Sequence, residues 1–191
     1  SLGIVDPSSG QRWFIECSPS FPRQVRRLDE EYPKLAGKLD GILLTHAHIG
    51  HYAGLIHLGR EVMGAKGIPV HAMPRMEKFL KTQGPWSQLV GLKNIQLSPM
   101  RDGRAFALNK RLRVTPFLVP HRDEFSETVG FQIEGPHKKI LWLPDIDKWE
   151  KWKTPLEKVL KEVDVAYLDG TFFANGELPG RDMSKIPHPF I

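Results

Sequence analysis

The sequence predicts an α/β protein in which sheets are covered by helices. Three observations carry this reading. Short apolar runs bounded by Gly, Pro, Asn, Asp and Ser recur along the chain, and stretches with apolar residues at helical spacing separate the first of them. From about residue 95 to 143 the strand-like runs follow one another directly, and helix and strand then return.

Taken in order, "RWFIECSP" (12–19) reads as a strand, 22–36 as a helix, and "DGILLTHA" (40–47) as a strand. Residues 51–64 follow as a helix, because His51, Gly54, Leu55, Leu58 and Val62 fall on neighbouring turns. "IPVHAM" (68–73) is a strand and 74–83 a helix, while "GPWSQLVGL" (84–92) reads as a surface loop anchored by Trp86. Four strand-like runs come next: "NIQLSPM", "RLRVTPFLVP", "TVGFQIEG" and "KKILWLPD". Residues 148–163 show Trp149, Trp152, Leu156, Val159, Leu160 and Val163 at helical intervals with Lys and Glu between them, so the aromatics read as a core stripe. "VDVAYLDGTF" (163–172) is the last strand.

Length and composition bound the rest. A chain of 191 residues is expected to form one domain, 1–191, and to bury roughly two thirds of its unfolded surface. With 40% hydrophobic and 26% charged residues it has a globular composition, and no apolar run approaches the ~20 residues of a membrane span. "SLGIVDPSSG" lacks the basic start and apolar middle of a secretion signal, so the expected location is cytoplasmic; a signal removed before residue 1 would leave no trace. The chain starts near a strand-like segment and stops three residues past His188, as a trimmed piece of a longer protein would. The single cysteine, Cys17, can form neither an internal disulfide nor a thiolate zinc site; its default role is a small buried hydrophobe, and any metal must be held by histidine and carboxylate. The net charge of +5 is spread out, apart from Arg23, Arg26, Arg27 and the Lys138–Lys139 pair. A solvated face explains such charges, so the expected partner is a small-molecule substrate, ahead of nucleic acid.

The chemistry concentrates in "LLTHAHIGHYAGL" (43–55), where three histidines occupy six positions at a strand-to-helix junction. Alternate residues of an extended segment point the same way, so His46 and His48 can share one target. His51, in the first helical turn, can return toward it. Converging neutral imidazoles suit zinc, iron or manganese. His57 lies six residues after His51, about 240° around a helix, and faces elsewhere. His71 in a strand and His137 in a polar turn read as structural or exposed.

"THAHIGHYAG" resembles the HxHxDH signature of the metallo-β-lactamase superfamily. That resemblance implies a four-layer αββα sandwich, and it implies further ligands after the signature: a histidine at a strand end, an aspartate at a strand end and a last histidine in a loop. "FLVPH" offers His121, "ILWLPDID" offers Asp145 and "SKIPHPF" offers His188, in that order. By resemblance His46, His48 and His121 hold a first metal, Asp145 bridges, and His51 with His188 serves a second. "FIECSPSFPRQ", "LDGTFF" and "GRDMSKIPH" look more specifically like the coenzyme-PQQ biosynthesis protein B branch. In related phosphodiesterase branches an acidic residue at the position of Asp169 lies near the metals, which makes Asp169 a catalytic candidate as general acid or as a support of the ligands. A turn-forming Asp-Gly at a strand end is the plain alternative. One position departs from the signature: Gly50 stands where aspartate is usual, so the second site loses a ligand, and Asp169 or Asp123 are substitutes to consider.

The implied cofactor is Zn²⁺, one or two ions, with Fe or Mn as alternatives. A zinc ion with three protein ligands and an open position lowers the pKa of its water to about 7 and polarises a substrate oxygen. The expected activity is therefore a metallo-hydrolase acting on an ester, lactone, amide or phosphodiester bond. Histidines with a carboxylate also suit Fe(II) and oxygen, so an oxygenase of the PQQ-biosynthesis-protein-B type is the second reading. A non-catalytic metal-binding domain is the third, supported by Gly50. Thr45 and Asp147 are candidates to fix the free imidazole nitrogens.

Overall fold

A computed structural model describes residues 1–191. The chain divides into two compact units, one of Ser1–Met100 with Phe125–Glu127, the other of Arg101–Glu124 with Thr128–Ile191.

The first unit holds a five-stranded sheet in chain order: β1 (Leu2–Asp6), β2 (Gln11–Ile15), β3 (Gly41–Leu43), β4 (Ile68–Ala72) and β5 (Ile95–Pro99). β1 and β2 form an antiparallel hairpin, and β2 through β5 run parallel. The hairpin turn "DPSSG" closes because Asp6 Oδ1 accepts the Ser8 N–H at 3.1 Å and Gly10 adopts φ +68°. Parallel strands need crossovers, and helices supply them: α1 (Phe21–Glu31), α2 (Ile49–Tyr52), α3 (Pro74–Thr82) and α4 (Trp86–Gly91), with a 3₁₀ segment at Ala53–Leu58. Phe14, Ile42, Leu44 and Val70 from the sheet region pack with Phe21, Leu55, Leu58, Met76, Leu80 and Leu89 in one core.

The second unit holds the other sheet, in the order β10 (Val165–Leu168), β9 (Lys139–Leu143), β8 (Val129–Glu134), β7 (Arg113–Leu118) and β6 (Phe106–Ala107). β6 to β9 are antiparallel neighbours and β10 runs parallel to β9. β7, β9 and β10 therefore share one direction, and their C-terminal ends lie at the same end of the sheet. Leu141, Leu143, Val119 and Ile146 are buried there against Trp149, Trp152, Val159, Val163 and Leu168.

Each predicted strand run contains an observed strand, while β1 and β6 were not anticipated. The helices are shorter than their periodicity suggests. The 22–36 stretch ends as a helix at Glu31 and resumes as a 3₁₀ turn at Pro33–Leu35, and 51–64 starts earlier, at Ile49, and tightens to 3₁₀ after Tyr52. The 148–163 stretch is a 3₁₀ turn at Trp149–Lys151 and a short helix, α5 (Leu156–Leu160). Pro155 interrupts it: proline lacks the N–H a helix interior uses and pushes the preceding residue out of the helical region. Its aromatic stripe still packs as core, with Trp152 stacked on Phe117 at 5.7 Å between ring centroids. The stretch read as a loop around Trp86 is α4, whose Trp86, Leu89 and Val90 turn inward, Trp86 against Tyr52 at 4.8 Å.

Candidate metal centre

In the first unit the site is built at the C-terminal ends of β2 and β3. β3 ends at Leu43, and the chain continues extended through Leu44, Thr45, His46 and Ala47 before α2 begins beyond His48. His46 Nε2 and His48 Nδ1 lie 2.9 Å apart, and the His51 ring sits 4.3 Å from that of His46. Three imidazoles therefore crowd one point, as their spacing predicts. Thr45 Oγ1 lies 2.9 Å from His46 Nδ1 and fixes the ring through the nitrogen that does not face His48. The turn is braced from below: Ala47 N–H donates to Ser126 Oγ at 2.8 Å, and that hydroxyl donates to the Glu127 carbonyl at 2.9 Å.

A carboxylate that the sequence reading missed completes this half. Glu16, just past β2 and only 2% exposed, places Oε2 2.5 Å from His51 Nδ1. The available signal was slight: a single acidic residue ending the apolar run "RWFI". Next to it the Cys17 thiol is pushed well up, first by burial and then by the charge of Glu16, so it stays protonated and structural.

In the second unit the shared direction of β7, β9 and β10 brings His121, Asp145 and Asp169 to one sheet end, since each follows closely on its strand. His188 arrives from the loop after the 3₁₀ turn Met183–Lys185. Lys148 anchors that loop, its Nζ donating to the carbonyls of His188 at 2.6 Å and Met183 at 3.3 Å. Asp145, Asp169 and His188 each offer one ligand atom, all within 4.8 Å of one another, and the His121 ring lies 5.5 Å from that of His188. Two carboxylates beside imidazoles suit a divalent cation of the zinc, iron or manganese kind.

Asp169 is buried and heavily engaged. It accepts from His188 Nδ1 at 2.6 Å, from the Thr171 hydroxyl at 2.6 Å and N–H at 3.0 Å, and from the Ile146 N–H at 3.3 Å. Burial works to raise its pKa, and the hydrogen bonds from His188 and Thr171 outweigh that, holding the carboxyl below its usual range. The same Asp169 bond, first among the causes, pulls the His188 pKa up.

Other candidates fall outside these clusters. Asp123 is exposed and accepts the Thr128 hydroxyl at 2.9 Å, and Asp147 is taken by Lys151 Nζ and the Lys148 N–H, both at 2.7 Å. His137 is exposed, and His71 lies in β4, where burial lowers its pKa to about 4. Gly50 is exposed, and a Cβ placed there would meet no atom within 4 Å. No helix is long and apolar enough to cross a membrane.

The family profile described as "Beta-lactamase superfamily domain" matches residues 11–188. Among curated proteins, the chain is 24% identical over 193 residues to the coenzyme PQQ synthesis protein B of Xanthomonas euvesicatoria pv. vesicatoria, a match covering 92% of this chain and 62% of that protein. It is 26% identical over 153 residues to the ribonuclease Z of Bradyrhizobium sp. (strain ORS 278), covering 75% of this chain and 46% of that protein. Zn²⁺-bound PqqB from Methylobacterium extorquens matches with a TM-score of 0.70 at 20% identity, over 88% of this chain and 59% of that one. A diphosphatase of the PhnP family matches at 0.65 and 19%, over 95% of this chain and 62% of that one. The chain thus spans about half to three fifths of the length of these relatives.

Proposed function

Because this chain belongs to the metallo-β-lactamase superfamily, with its αββα fold and in its PqqB-like branch, we propose that it is a metal-dependent hydrolase. His46, His48 and His121 would hold a first divalent ion, Asp145 would bridge, and His51 with His188 would hold a second. The observation that carries this reading is the placement of every one of these donors just past a strand, at a helix start or in the anchored C-terminal loop, three imidazoles in one unit and a His–Asp cluster in the other. A divalent ion bound there supplies an acidified water and an electrophile for the substrate's carbonyl or phosphoryl oxygen.

The chain's own residues set up that chemistry. Thr45 holds His46 through Nδ1, leaving its Nε2 available to a metal ion, and Asp169 accepts from His188 Nδ1 and holds that ring beside Asp145. The lowered pKa of Asp169 and its four contacts favour this positioning role over proton donation. Substrates of the proposed class are small molecules with an ester, lactone, amide or phosphodiester bond.

The test is elemental analysis of the purified protein, followed by a panel of chromogenic ester, lactone, phosphodiester and β-lactam substrates with that metal restored. Zinc or manganese with turnover of one class is the expected result. Iron with oxygen consumption and no hydrolysis would replace the hydrolase reading by the oxygenase one. Retention of no transition metal would leave a metal-free domain.

A further inference from the structure

Glu16 is a buried acidic side chain that the ligand set above leaves unused. Its backbone sits at φ +74°, a region that a residue with a side chain rarely adopts and that surrounding structure must enforce. The enforcement is visible. Glu16 N–H donates to the Leu43 carbonyl at 2.9 Å, Cys17 N–H to the His51 carbonyl at 2.8 Å, and Gly54 N–H to the Cys17 carbonyl at 2.8 Å. Glu16 is thereby pinned to the two segments that carry His46 and His51.

One carboxylate oxygen, Oε2, meets His51 Nδ1 at 2.5 Å, while Oε1 is buried with no hydrogen-bond partner. A buried carboxylate held only to orient a fold is normally satisfied at both oxygens, because each unmet one carries a desolvation cost. A cation close by offsets that cost. Gly50, meanwhile, offers no carboxylate where the superfamily signature has one.

We propose that Glu16 supplies, from the end of β2, the negative charge missing at position 50, fixing His51 through Nδ1 so that Nε2 is its ligand atom and favouring a divalent cation beside that ring. The inference rests on the reading that His51 is a metal ligand. Glu16 is a positioning residue in this arrangement, one imidazole removed from the ion.

Zinc titration calorimetry with ion counting by native mass spectrometry tests it, on wild type, Glu16→Gln, Gly50→Asp and the double variant. Wild type is expected to bind a first ion tightly and a second more weakly. Glu16→Gln, which keeps the shape and loses the charge, should weaken the second event about 10- to 100-fold and spare the first. Adding Gly50→Asp, whose Cβ meets open space, should restore the second event, a rescue that a merely structural role would not show. Circular dichroism confirms folding, and if Glu16→Gln does not fold, Glu16→Asp, with its carboxylate withdrawn from Nδ1, is expected to show the same selective loss and rescue. An unchanged second event, or equal weakening of both without rescue, overturns the role of Glu16 alone. Wild type that binds no ion overturns the ligand reading together with it.

Discussion

Adding a single methyl group at Gly54 and at Gly50 is expected to have opposite effects, although the two glycines are four residues apart. A Cβ at Gly54 would lie 2.1 Å from the Ser18 carbonyl oxygen, 2.8 Å from that of Cys17 and 2.9 Å from Phe21 Cβ. The first two are backbone atoms with no rotamer to yield, and the Cys17 carbonyl already accepts the Gly54 N–H. Gly54→Ala must therefore move the 53–58 segment away from the β2–α1 connection by roughly 1 Å, an overpacking that costs about 3 kcal/mol. Gly50→Ala meets nothing, lies in α2, and gains up to about 1 kcal/mol of helix propensity. Urea unfolding of the two variants reads the difference. With a slope of about 1–3 kcal/mol/M, Gly54→Ala should lower the midpoint by about 1–3 M, and Gly50→Ala should match or slightly exceed wild type. A Gly54→Ala protein as stable as wild type would refute the close approach of these segments, and with it the bracing of His51 by Cys17.

Three further outcomes are expected. His71 has a pKa near 4 in the fold against 6.5 in the unfolded chain, because burial disfavours its charged form; its stabilising effect is complete above pH 6.5 and is lost as pH falls toward 4. Metal-free wild type should then lose about 2 kcal/mol more than His71→Gln between pH 7 and 4.5 in urea titrations, and equal losses would refute it. Ser126→Ala leaves the Ala47 N–H without its acceptor beside His46 and His48 and should cost about 1–3 kcal/mol in thermal unfolding, whereas an unchanged midpoint would show that the bond does not brace the turn. His57→Ala should keep turnover of the best panel substrate within a few-fold of wild type, and its loss would place that ring in the site.

The strand-to-helix junction at 43–55 was legible because histidine is rare and its spacing there has few other uses, whereas His121 and Asp145 after strand-like runs and His188 in a loop became candidates only through the superfamily resemblance. Glu16 was not, since one acidic residue closing an apolar run looks like any strand end until the fold brings His51 to it. Apolar period alone located the strands, yet it passed over β1, five residues with a glycine among them, and β6, two residues long. In 148–163 the period picked out Trp149, Trp152, Val159 and Val163, which do pack together, but Leu160 is exposed, and the period is blind to Pro155 and the backbone hydrogen bond that proline removes. Around Trp86 the opposite occurred: Gly84 and Pro85 read as loop formers, and the inward face of Trp86, Leu89 and Val90 decided for a helix.

The most direct measurement is zinc calorimetry on wild type, His46→Ala and His121→Ala, one ligand taken from each unit. If both side chains hold the same ion, each substitution alone should abolish the same high-affinity event. Retention of that event, at wild-type affinity and stoichiometry in either variant, would show that the two histidines do not share a cation.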